Sequence, residues 1–127
     1  MNKLKVLVVE TEMPAAMRMV SLLTQVGFEV QVATRGRKGM EIAQEQKFDL
    51  ILLEADLPDI SAFKICAELK QRHISYRTPV IFLADPHGDR YRGQVLEAGA
   101  ADLIEKPFRA DDFISRVLSQ LEETTVA

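Results

Sequence analysis

Along this chain, short unbroken apolar runs alternate with longer stretches in which apolar residues recur every three or four positions. Leu4–Val9 (LKVLVV) reads as a β-branched strand. The stretch Pro14–Val26 follows, with Met17, Val20, Leu22, Leu23 and Val26 at helical spacing. Pro14 suits a first helical turn, and Gly27 suits the position just past a helix end. Phe28–Ala33 (FEVQVA) alternates like a half-exposed strand, and Lys38–Gln46 sets Met40, Ile42 and Ala43 on a helix. Leu50–Leu53 is continuous, as in a strand buried on both faces. Ser61 suits the cap of a helix reaching Arg72 that buries Phe63, Ile65, Cys66 and Leu69. Val80–Leu83 predicts a fourth strand, and Arg90–Ala98 predicts a helix closed by Gly99. Asp102–Glu105 predicts a fifth strand through Leu103 and Ile104. The spacing over Asp111–Glu122 predicts a last helix turning Phe113, Ile114, Val117, Leu118 and Leu121 inward.

A strand–helix unit repeated five times predicts an α/β fold, a parallel sheet with helices on both faces. The 127 residues fit one domain, taken as 1–123, with 124–127 as a tail or the start of a linker. A formal net charge of −3 and the lack of a clustered basic run argue against nucleic-acid binding by this domain. The basic start and short apolar run at the N-terminus do not make a signal segment, and no apolar run approaches the ~20 residues of a membrane helix. The lone Cys66 has no internal disulfide partner and reads as a small apolar residue on a helix face. These features lead to the expectation of a reduced, cytoplasmic protein without membrane contact.

Parallel sheets of this kind carry their sites at the carboxyl ends of the strands. Those ends bring Glu10, Thr11 and Glu12, then Glu54, then Ala84 and Asp85, then Glu105 and Lys106 to one rim. The segments KVLVVETE, DLILLEADLPD, TPVIFLAD and EAGAADLIEKPF resemble the receiver domain of bacterial two-component response regulators, in order and over Leu4 to about Leu121. The resemblance implies a five-stranded, doubly wound, flavodoxin-like fold in three layers. It also implies that the phosphoacceptor position, an aspartate in the family, is Glu54. The acidic pair that holds magnesium matches Glu10 and Thr11. The hydroxyl that grips a phosphoryl oxygen matches Ala84, and the aromatic that reports the state matches Leu103. The lysine that contacts the phosphoryl group matches Lys106, joined to Pro107 by a bond that the resemblance implies is cis.

Four of these positions depart from the pattern together. Thr11 offers a neutral oxygen where hard cations favour carboxylate. Glu54 carries its carboxylate farther out by roughly one carbon–carbon bond, about 1.5 Å, and phosphoryl transfer depends on position and on charge neutralisation. Ala84 has no hydroxyl and Leu103 no aromatic ring. The expected function is thus a pseudo-receiver: a receiver domain in phosphorelay signalling that acts as a protein-interaction module independent of phosphorylation, with Glu54 paired to Lys106. No cofactor is expected. Weak magnesium binding through Glu10, Glu12 or Glu54, in a conventional receiver still open to modification, is the alternative. A small enzyme on the same scaffold is a further alternative, drawing on Asp56, Asp85 and His87. His87 lies in a turn-like DPHGDR segment and reads first as a loop residue, and His73 suits a helix end. Expected partners are signalling proteins (a kinase, an effector or another receiver), with a homodimer as one form. The resemblance places the interaction face at Arg90, Tyr91, Arg92, Asp102, Asp112 and Arg116.

Overall fold

The computed structural model describes residues 3–71, 77–86 and 91–126, with side chains up to Leu121. Five strands, β1 (Lys5–Val9), β2 (Glu29–Ala33), β3 (Leu50–Glu54), β4 (Val80–Ala84) and β5 (Asp102–Glu105), alternate with five helices. The helices are α1 (Met13–Gln25), α2 (Gly36–Glu45), α3 (Ala62–Leu69), α4 (Arg92–Glu97) and α5 (Ala110–Val126). All strand pairs are parallel, in the order β2-β1-β3-β4-β5. The chain therefore reverses its winding direction at β1, and the crevice beside it, between β1 and β3, is where such sheets place their sites.

Side chains on a strand alternate between faces, and this alternation builds two cores. Leu7, Val9, Ile51, Leu53, Phe82, Ala84 and Leu103 pack on the side of α2, α3 and α4. Val6, Val8, Leu50, Leu52, Ile81, Leu83 and Ile104 pack on the side of α1 and α5, against Met19, Leu23, Phe113 and Val117. Continuing that parity, Glu10, Glu54 and Lys106 fall on one side of the sheet.

Local signals act as the sequence suggests. Pro14 sits in the first turn of α1, and Ser61 Oγ accepts from the Lys64 N–H at 3.3 Å. Gly27 and Gly99 end their helices at φ of 96° and 87°, a region that side chains disfavour. Other expectations need correction. Helix α5 runs past Glu122, the end predicted for it, into the stretch taken as a tail or the start of a linker, as far as Val126; with neither Gly nor Pro there, nothing interrupts it. Leu118, expected inward, is 41% exposed. The predicted site residue Arg90, together with His73 and His87, lies outside the described residues.

Candidate functional site

The three rim residues named from the sequence converge. Lys106 Nζ donates to Glu10 Oε1 at 2.8 Å and also to Glu54 Oε2. Each carboxylate uses its other oxygen to accept from the backbone two residues on. The Glu12 N–H reaches Glu10 Oε2 at 3.2 Å, and the Asp56 N–H reaches Glu54 Oε1 at 3.1 Å. The result is a symmetric clamp of two acids on one ammonium. Glu10 is fully buried and Glu54 is 4% exposed. Among the described residues no buried side-chain nitrogen or oxygen lacks a partner. The expected Glu54–Lys106 pair is thus present, and Glu10 is a second member that the sequence reading had placed only in the metal site.

The electrostatics follow from that count. Two buried carboxylates facing one cation leave an excess negative charge in a poorly solvated place. Burial pushes Glu54 up to about 7, against the Lys106 hydrogen bond and together with the repulsion of Glu10. Burial alone would lower the pKa of Lys106, but its hydrogen bonds to Glu10 and Glu54 outweigh that and raise it. The ammonium stays charged, and burial favours the protonated form of Glu54.

The remaining site positions are where the sequence placed them. Thr11 and Glu12 line a cleft of about 500 Å³ beside Glu54 and Lys106. Ala84 is fully buried at the end of β4, and Leu103 is 8% exposed with its side chain in the α2–α4 core. The Lys106–Pro107 bond is cis. Magnesium, which the resemblance implies, would meet acids already engaged by Lys106. The inner oxygens of both acids are turned onto Lys106, and Thr11 is neutral. Among the described residues no group of three or more His, Cys, Asp or Glu is placed to hold a metal ion.

Two connections escaped the sequence reading. Asp59, in the loop after β3, accepts from the Gly36 and Arg37 N–H groups at 2.9 Å each, closing the first turn of α2. Those bonds hold its carboxyl below the usual range. Tyr91 O–H donates to Asp56 Oδ1 at 2.6 Å, across 35 positions of sequence. No local pattern signals either contact.

At the start of β5, Arg116 Nη1 bridges both Asp102 oxygens at 3.0 and 2.9 Å, and its Nε reaches Asp112 at 3.1 Å. These bonds, the Asp102 one foremost, raise the Arg116 pKa. Arg92, Asp112 and Arg116 border a groove of about 760 Å³. Among the described residues no helix is long and apolar enough to cross a membrane.

Comparison with known proteins agrees with this geometry. The family model described as "Response regulator receiver domain" matches residues 6–118. The transcriptional regulatory protein CreB of Escherichia coli (strain K12) is 36% identical over 121 residues, 95% of this chain and 52% of that protein. The phosphate regulon transcriptional regulatory protein PhoB of Rhizobium meliloti (strain 1021) is 33% identical, over 92% of this chain and 52% of that protein. The chain thus spans about half the length of these relatives. A receiver domain protein from Methanospirillum hungatei superposes with a TM-score of 0.89 at 20% identity, over 96% of each chain, a likeness of fold alone. By sequence, topology and the placement of its rim residues, the chain belongs to the response regulator receiver domain family.

Proposed function

We propose that this receiver domain serves two-component signalling as a docking module without a phosphoryl cycle at position 54. The observation that supports this most strongly is the clamp. Lys106, which the resemblance assigns to the phosphoryl group, is already held by Glu10 and Glu54. To accept a phosphoryl group, Glu54 would have to leave that ammonium and lose the proton that burial favours. A divalent ion would have to displace Lys106 from both acids at once. The position of Ala84 supplies no hydroxyl to hold the product, and Leu103 supplies no ring to report it.

Nor does Glu54 imitate a phosphoryl group well. A phosphoryl group carries about −1.5 to −2 charge at neutral pH, whereas Glu54 carries one charge at most and shares Lys106 with Glu10. The useful part of the domain is then its surface. The face bordered by Arg92, Asp102, Asp112 and Arg116 carries both signs of charge, which suits a second copy or another signalling protein.

Spectra of amide shifts with beryllofluoride and magnesium test this reading. The native protein is expected to show no change. The Glu54→Asp, Thr11→Asp variant is expected to shift around the cleft, because an aspartate there reaches less far and the metal site regains a carboxylate. A native protein that shifts as the variant does would overturn the reading.

A further inference from the structure

Helix α4 is held weakly by its own residues. It has six residues, and within it only Val95 is buried, while Leu96 is 68% exposed. Its N-cap, Tyr91, makes no side-chain cap bond. Helices this short do not persist without tertiary anchors. Tyr91 is such an anchor. Its ring lies 5.6 Å from Phe63, which stacks on Phe82 of β4 at 5.1 Å. Its hydroxyl donates to Asp56, two residues beyond Glu54.

Asp56 faces both ways. Its backbone N–H holds Glu54 Oε1, and its side chain holds Tyr91. We propose that Asp56 couples the buried carboxylate site to α4, so that the position of the Glu54 head sets how α4 is docked. The route is continuous and short: Lys106, Glu54, the Asp56 backbone, the Asp56 carboxylate, the Tyr91 hydroxyl, α4. It uses none of Ala84, Leu103 or the cis bond. Displacing Glu54 Oε1 frees the Asp56 N–H, and the loop that follows β3 shifts until that donor finds another acceptor. On its other side the loop is tied to α2 through Asp59. The inference rests on the docking-module reading for its use, since α4 carries Arg92 at the edge of the mixed-charge face.

Two measurements test it without a partner or a phosphoryl donor. In Tyr91→Phe, which keeps the ring and removes the hydroxyl, α4 amides should exchange hydrogen roughly tenfold faster, the loss expected for one bond to a charged acceptor. Amides of β1 and β3 should not change. In protein labelled with 3-fluorotyrosine, Glu54→Ala should move the Tyr91 fluorine resonance, identified by its loss in Tyr91→Phe. Glu54→Ala leaves Lys106 its Glu10 partner, so the ammonium keeps a counter-charge. Unchanged α4 exchange in Tyr91→Phe overturns the anchor, and an unmoved Tyr91 resonance in folded Glu54→Ala overturns the coupling. Either failure leaves the docking reading standing, and uptake of a phosphoryl group by the native protein would overturn that reading while leaving these two measurements intact.

Discussion

Glu54 falls at the position that the resemblance gives to the family's reactive aspartate, and its surroundings make it one of two acids clamped on Lys106. One extra methylene brings its head onto Lys106, and burial then favours the protonated acid. Burial raises its pKa from 4.5 to about 7, so between those values the folded protein keeps a proton that the unfolded chain has released. The contribution of this group is therefore full below the lower value and is lost as pH rises through the upper one. Urea midpoints measured from about pH 5 to about pH 8 should fall for the native protein relative to Glu54→Gln, and parallel curves would contradict the assignment. Lys106, raised in the folded state, loses its contribution only as pH rises beyond its ordinary value, outside that window. Lys106→Met leaves two acids buried without a cation and should cost about 3–5 kcal/mol near neutral pH. Adding Glu54→Gln to it should recover part of that loss in denaturant unfolding.

The strands and helices that surround the site were readable because each carries a local period. The continuous run of β3 announced burial on both faces, and Ser61 and Gly27 marked helix ends that the structure confirms. The pairing of Glu54 with Lys106 was readable too, since strand ends converge in a parallel sheet. Contacts between distant side chains were not. Nothing local tells Tyr91 to meet Asp56, or Lys106 to hold Glu10 as well. The end of α5 was set too early, at Glu122: β-branched Thr124, Thr125 and Val126 have modest helix propensity, but weak propensity does not stop a helix already formed. Close approach between elements was equally silent. A Cβ on Gly39 would meet Val9 Cγ2 at 2.6 Å, so α2 sits directly on β1. Gly39→Ala should therefore destabilise by about 1–3 kcal/mol in thermal or denaturant unfolding, through overpacking beside Glu10.

Taken together, the domain keeps the scaffold of a receiver and fills its reactive crevice with its own charges. Two outward consequences follow. If Lys106 keeps both acids, as the proposed function requires, millimolar magnesium should leave the melting temperature unchanged, since only an ion bound to the folded state adds stability. A rise that depends on Glu10 would show that the ion displaces Lys106. The surface around β5 should carry the interactions. Arg116 is engaged by Asp102 and Asp112 of its own chain, so a second copy would have to share or exchange these pairs. Light scattering should show self-association that Arg116→Glu reduces, and a monomer at all concentrations, unaltered by that change, would remove the homodimer from the account. The decisive result lies at position 54. After incubation with acetyl phosphate and magnesium, intact-mass spectrometry should find the native protein unmodified. A phosphoryl adduct that disappears in Glu54→Ala would contradict the account.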